Sequence, residues 1–467
     1  MASLTRALSV LGCSAASLAL ACGSTSTSPA PAPDDPLVLA PVADKNADPG
    51  VLELDLEARE GTKSYGAPKA TPVWTYNGTI PGPFIDAKVG DRVIVHFRNS
   101  LPEPTTIHWH GIRLPAAMDG SLAMQSPIPP GGTFEYAFTL KDSGLYWFHP
   151  HMRSDIQVQK GLYGVIRVRG PAEPEVDLER VVVLDDVKLD AEGAISESLD
   201  DTSKMLGREG KTLLVNGLVD PKLDVAPGSL VRFRIVNVAN GRFFNLRLPG
   251  HKLRVIGTDG GFVPKPYDVD TLLLSPGERY DVLVRVDGAA GSTIDLVNEP
   301  YDRGHDSGGA RPAKVMRVGL TGAARPAEKP MPDRFPDIER LPQRPADSTL
   351  ELNEILRGED VVFTINGKAS PDVPPISVKL GEVRALEVDN KSEMDHPFHL
   401  HGFFFQVLAR NGSPLAPEAL ANKDTVIVPA KTSLRLIARF DEPGKWLYHC
   451  HILEHAEAGM MAEIDVR

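Results

Sequence analysis

Ten of the 13 histidines fall in four short clusters: His108-Trp109-His110, His149-Pro150-His151, His396-Pro397-Phe398-His399-Leu400-His401, and His449-Cys450-His451 with His455 following. Residues i and i+2 of a strand point to the same face, so each His-x-His pair presents two imidazoles to one side. That is metal-ligand spacing. One such pair is weak evidence, but four supply eight imidazoles, and packing eight histidines together has no structural purpose without metal. Ligand softness narrows the choice. Imidazole alone admits zinc, copper, iron or nickel, whereas Cys450, His455 and Met460 with His396 add a thiolate and a thioether, the donor set of a blue-copper centre. Zinc seldom takes Met, and a structural zinc site would close four Cys/His ligands without leaving clusters over. The same strand period puts His449 and His451 on one face and Cys450 on the other. An electron accepted at Cys450 therefore has a short covalent route to the imidazoles of a second metal site.

The elements that must hold these clusters are written as a repeat. An Asn-Gly turn, a Gly opening a strand and an Asn nine residues beyond that Gly recur three times: Asn77-Gly78, Gly90, Asn99; Asn216-Gly217, Gly228, Asn237; Asn366-Gly367, Gly381, Asn390. Between Gly and Asn each copy reads as a short strand of period two. Pro130-Gly131, Pro276-Gly277 and Pro429-Ala430 mark a further matched turn. A second internal match lies 300 residues apart, between residues 144–151 (Gly-Leu-Tyr-Trp-Phe-His-Pro-His) and 444–451 (Gly-Lys-Trp-Leu-Tyr-His-Cys-His). The first and third copies thus share a specialised strand end. Pro150 stands where the third copy has Cys450, which excludes a thiolate site in the first. With Gly 41 and Pro 41 among 467 residues, turns and short strands are favoured over long helices. The expectation is an all-β chain of three sandwich or barrel domains, in line with about 150 residues per domain. Residues 324–347, rich in Pro and charge, read as a surface linker between the second and third.

Residues 7–21, after the single charge of Arg6, are small and apolar, too short to span a bilayer but suited to a signal-peptide core. The expectation is a signal peptide over 1–21 and an exported protein, periplasmic, extracellular or lipid-anchored at the cell envelope. Two endings stand open. Ala19-Leu20-Ala21 suits ordinary cleavage, while residues 18–22 resemble a bacterial lipoprotein box, with Ala19 at the usual Leu position, which would make Cys22 a membrane tether. Residues 22–49 read as a low-complexity tether. Cys13 leaves with the signal, so Cys450 is the one cysteine of the folded body and no internal disulfide is expected. A net charge of −12 without a basic run argues against nucleic acid as a partner. A monomer is expected.

The four clusters, in this order and ending in His-Cys-His-x3-His-x4-Met, resemble the signature motifs of the three-domain multicopper oxidases, the family of laccases, bilirubin oxidases and bacterial cuprous oxidases. The resemblance spans the whole mature chain. It implies three tandem cupredoxin-like Greek-key β-sandwich domains: 50–172 with trinuclear-site ligands, 173–325 with no copper ligands and an isolated His251, a linker over 326–345, and 346–467 with type 1 and trinuclear-site ligands. It implies four copper ions, one type 1, one type 2 and two type 3. Type 1 copper would be held by His396, Cys450, His455 and axial Met460; type 2 by His108 and His399; the type 3 pair by His110, His149, His151, His401, His449 and His451. The implied reaction takes single electrons from a substrate near His455 and uses four of them to reduce O2 to water. Asp119 matches the family's acidic proton relay, against the plainer reading of a turn Asp before Gly120. Ala456 stands where many bacterial members carry Glu, and Glu457 is the candidate substitute. The ten Met are scattered, and Met394 and Met461 read as core. That favours phenols and aromatic amines, the laccase-like substrates, over the alternative of Cu(I) oxidation in copper tolerance. A copper-free cupredoxin scaffold is a third reading, against which stand twelve filled ligand positions.

Overall fold

Asn-Gly is the residue pair that best tolerates positive φ at both central positions of a hairpin turn. In the computed structural model all three repeated pairs adopt that conformation, with φ of 53° and 85°, 52° and 71°, and 53° and 73°. The structure describes residues 35–467 except 67, 68, 310, 327, 359, 417 and 418; the expected signal peptide over 1–21, Cys13, Cys22 and the first part of the expected tether lie outside the described residues. The repeated asparagines do matched work as well. Asn99 Nδ2 donates to the carbonyls of Glu103 and Ile128, Asn237 Nδ2 to those of Arg242 and Leu274, and Asn390 Nδ2 to those of Met394 and Val428.

Among the described residues, strands form six sheets in three sequential pairs, drawn from residues 51–169, 178–320 and 348–466. Each copy repeats one pairing. The strand Val51–Lys63 runs parallel to Arg92–Asn99, Leu178–Val187 to Ser229–Asn237, and Ser348–Arg357 to Glu382–Asn390. Alternate residues turn inward and the two sheets of a pair share a core. Leu54 and Val95 meet Phe148 and Ile166 in the first sandwich, Val182 and Val231 meet Leu246 and Val318 in the second, and Leu350 and Val388 meet Phe398 and Ile464 in the third. The first and third cores are continuous, whereas the middle one is separate. This is the all-β architecture that the repeat predicts.

Helices are short. Asp201–Leu206 is capped by Asp200, whose carboxylate accepts from Ser203 N at 2.8 Å, and Leu453–Glu457 follows the last histidine pair. Among the described residues no helix is long and apolar enough to cross a membrane. The described linker residues carry no helix or strand, but Phe335 is buried there and stacks on Phe262 with ring centroids 4.3 Å apart, so the segment is pinned to the middle sandwich.

Candidate metal centre

Strand pairing brings the clusters together. In the first sandwich His108–His110 pairs antiparallel with Gly144–His149, setting His108 opposite His149. In the third, His396–Leu400 pairs with Gly444–Cys450, setting His399 opposite His449 and Phe398 opposite Cys450. Eight imidazoles meet where the two strand ends face each other, in three groups whose ligand atoms lie within 4.8 Å: His108 with His110 and His399, His110 with His149 and His451, and His151 with His401 and His449. The six type 3 candidates thus divide into two sets of three.

Six of the eight rings are oriented by an outer nitrogen. His108 Nδ1 donates to Asp119 O at 3.0 Å, His399 Nδ1 to Asp424 O at 2.9 Å, His149 Nδ1 to Pro150 O at 2.9 Å and His449 Nδ1 to Cys450 O at 2.8 Å. His401 Nδ1 donates to Asp119 Oδ2 at 2.9 Å and His110 Nε2 to Asp424 Oδ1 at 3.2 Å. The opposite nitrogens of His108, His110, His149 and His399 are buried without a partner, as are both of His451. A buried polar atom left unpaired costs about 1–3 kcal/mol, so this concentration is intelligible only if the inner nitrogens serve a ligand. Burial holds His110, His149, His399, His401, His449 and His451 below the usual imidazole range, and His151 down to about 3. Neutral rings with free inner lone pairs fit copper.

On the other face of the same strand, Cys450 Sγ lies 3.5 Å from His396 Nδ1 and 3.7 Å from His455 Nδ1, and those two nitrogens are 3.3 Å apart. A triangle of that size surrounds one ion at first-row bond lengths of about 2.0–2.3 Å. Burial pushes the Cys450 thiol far up, so its thiolate form calls for a cation in this pocket. Met460 is buried and its carbonyl accepts from Cys450 N at 3.1 Å; Phe363 stacks on His455 with centroids 3.7 Å apart. The outer nitrogen of His455 is covered, since Nε2 donates to Met205 O at 3.0 Å. Beside His396, Nε2 lies 2.9 Å from Ser392 Oγ and 4.0 Å from Glu354 Oε2, and Glu354 Oε1 is 3.3 Å from His305 Nε2.

Asp119 is buried between the two halves of the cluster, with Oδ1 3.2 Å from His108 Nδ1. Gly120 follows at φ +77°, where a Cβ would lie 1.7 Å from Ile107 O, so the turn closes on glycine alone. Glu457 is exposed and its Oε1 accepts from Ser154 N and Oγ, both at 2.8 Å. His251 takes part in a local turn, where its Nε2 accepts from Asp287 N. Four residues at the centres gave no sequence signal: Asp424, Thr425, Arg279 and Met205. Only Arg279 lay near a singled-out feature, the turn Pro276-Gly277.

Sequence profiles of multicopper oxidases match residues 57–173, 180–294 and 342–467. The chain belongs to the multicopper oxidase family. It is 34% identical to the multicopper oxidase MmcO of Mycobacterium tuberculosis, over 84% of this chain and 82% of that one. Solved structures agree. A multicopper oxidase from Campylobacter jejuni, described as a metallo-oxidase, superposes with a TM-score of 0.82 at 30% identity, covering 92% of this chain and 94% of that one. A laccase-like multicopper oxidase from the lignin-degrading bacterium Ochrobactrum sp., with activity towards lignin model compounds, gives 0.80 at 30% identity, covering 92% and 100%. The three sandwiches of this multicopper oxidase are therefore cupredoxin-like, and the protein is a copper-dependent oxidoreductase. Family membership implies copper, O2 and a reducing substrate.

Proposed function

We propose that this is an exported multicopper oxidase that would hold four coppers: type 1 at His396, Cys450, His455 and Met460, type 2 at His108 and His399, and a type 3 pair at His110, His149 and His451 and at His151, His401 and His449. When bound, the type 1 copper would accept single electrons and the trinuclear cluster would use four of them to reduce O2 to water. One observation carries the reading. Cys450 stands between His449 and His451, its sulfur grouped with two imidazoles on one face and theirs with six more on the other. The chain's own part is to orient six of the eight rings by their outer nitrogens, exclude water from both pockets and keep an ionised carboxylate, Asp119, against His108 and His401. Export rests on residues 1–21, with Cys22 as the tether if it is lipidated, and the protein acts as a monomer.

The donor is the finer question. The scattered methionines favour phenols, but the closed edge of His455 favours a small donor such as Cu(I), since a phenol would need that nitrogen exposed. The polar edge at His396, with Glu354 and His305, suits a cation. The Campylobacter jejuni relative is described as a metallo-oxidase and the Ochrobactrum one as active towards lignin model compounds.

Copper-loaded protein is expected to be blue with about four coppers per chain, and Cys450→Ser to lose both colour and turnover. A colourless loaded parent, or an active serine variant, would sink the assignment. O2 uptake with Cu(I) against a methoxyphenol decides the donor; a higher kcat/KM for the phenol would return it to the laccase-like reading.

A further inference from the structure

We propose that Arg279, in the sandwich that contributes no histidine to the cluster, positions two rings through Asp424: His399, a type 2 ligand in the reading above, and His110, a type 3 ligand whose ligand atom lies within 4.8 Å of those of His108 and His399. The inference rests on the copper reading above and adds a residue to it. Arg279 is fully buried and its guanidinium is used by all three sandwiches. Nε donates to Leu145 O of the first at 3.0 Å, and Nη2 and Nη1 donate to Asp259 O and Gly277 O of the middle one, both at 3.1 Å. Toward the third, Nη1 and Nη2 grip Asp424 Oδ1 and Oδ2 at 2.6 and 2.5 Å.

Asp424 passes that grip to two rings. Its Oδ1 faces His110 Nε2 at 3.2 Å and accepts from Thr425 Oγ1 at 2.9 Å, while its backbone carbonyl accepts from His399 Nδ1 at 2.9 Å. One carboxylate therefore orients a ring of the first sandwich, and its own main chain orients a ring of the third. Burial alone would push the Asp424 carboxyl up, but Arg279 holds it well below the usual range, so it accepts without competing for a proton.

The turn before Arg279 is seated in the same wall. A Cβ on Gly277 would lie 2.9 Å from His451 Cδ2 and 3.1 Å from His110 Cε1, and one on Gly111, next to His110, would lie 2.3 Å from Arg279 Nη2. Only a flat, forked guanidinium can meet a carboxylate with two bonds and three carbonyls in this space; an ammonium is a point charge and meets fewer. Outer partners of metal-binding histidines set ring orientation and typically account for about 10–100-fold in metal affinity.

The competing account is a plain brace between sandwiches. Arg232 supplies the control, since it is equally buried and bridges Glu173, Glu179 and Asp281 without touching a histidine. Arg279→Lys, Asp424→Asn and Arg232→Lys would be copper-loaded, dialysed against a mild chelator and compared by copper content, blue colour and the type 2 electron paramagnetic resonance signal. Arg279→Lys and Asp424→Asn are expected to lose about one copper per chain and the type 2 signal while staying blue, an affinity loss of about 10–100-fold at that position. Their double variant is expected to lose no more than either single one. Arg232→Lys is expected to unfold at lower temperature with its type 2 signal intact. An unchanged type 2 signal in Arg279→Lys, or the same loss in Arg232→Lys, would reduce Arg279 to a brace. Should the lysine variant fail to fold, the near-isosteric Asp424→Asn decides by the same signal. A parent that takes up no copper would instead sink the copper reading itself.

Discussion

Asp119 shows what a single side chain can do between two rings. Its two oxygens face His108 Nδ1 at 3.2 Å and His401 Nδ1 at 2.9 Å, one ring from each of the two ligand-bearing sandwiches. Burial would raise its carboxyl, but His401 and His108 hold it well below the usual range, so it is ionised and accepts from both. Asp119→Asn keeps the shape and replaces one acceptor oxygen by an N–H donor facing a ring N–H. The expected outcome is O2-reducing turnover lowered by about 100-fold or more, with donor-driven bleaching of the blue colour still fast. Stopped-flow bleaching beside O2 uptake checks it, and equal slowing of both would make Asp119 a general structural support. Asp119 was legible because its place, 11 residues past His108 and before a glycine, matches the acidic position of the family that the clusters resemble. Asp424 was not, since an aspartate between Lys423 and Thr425 has no pattern of its own and acquires its role from Arg279, 145 residues away.

At the scale of elements, period-two alternation made the site legible. It predicted Cys450 on one face of its strand with His449 and His451 on the other, and the pairing of Phe398 with Cys450 and His399 with His449 continues the same alternation across the sheet. Alternation says nothing about what covers a strand end from outside. The helix Asp201–Leu206, whose six residues are too few to show an amphipathic period, lays its Met205 carbonyl over His455 Nε2. The family resemblance implies that electrons arrive near His455, and that ring is buried with its outer nitrogen covered. Replacing residues 200–206 by a Gly-Ser linker should open that edge and raise kcat/KM for a methoxyphenol by about tenfold, an effect of about 1.4 kcal/mol. Cu(I) turnover should not rise with it. Phenol turnover unchanged in a variant that remains blue would show that the helix is not the barrier.

Across the whole molecule, the repeat made three sandwiches legible, but how they are joined depends on contacts that no local pattern encodes. One joint is the apolar cluster of Trp147 and Tyr163 with Val183, Leu214 and Leu453, which draws on all three sandwiches. At its edge Tyr163 Oη, from the first, donates to Asp185 Oδ2 of the second at 2.6 Å. Burial, then the charge of neighbouring Asp186, pushes the Asp185 carboxyl up to about 7, and burial pushes Asp186 up to about 6 despite Arg242 beside it. An acid whose pKa is raised on folding binds its proton more tightly in the folded state. Its contribution to stability is therefore complete below the unfolded value of 3.8 and is lost as pH rises through about 7. The unfolding temperature of the copper-free protein should fall between about pH 4 and 7, and Asp185→Asn, neutral throughout, should flatten that slope while Asp186 leaves a remainder at its lower end. Using copper-free protein keeps metal uptake, itself pH-dependent, out of the comparison. A slope equally steep in the variant would place the titration elsewhere. A flattened one would locate a pH-sensitive joint between the first and second sandwiches, away from the strand ends where the histidines meet.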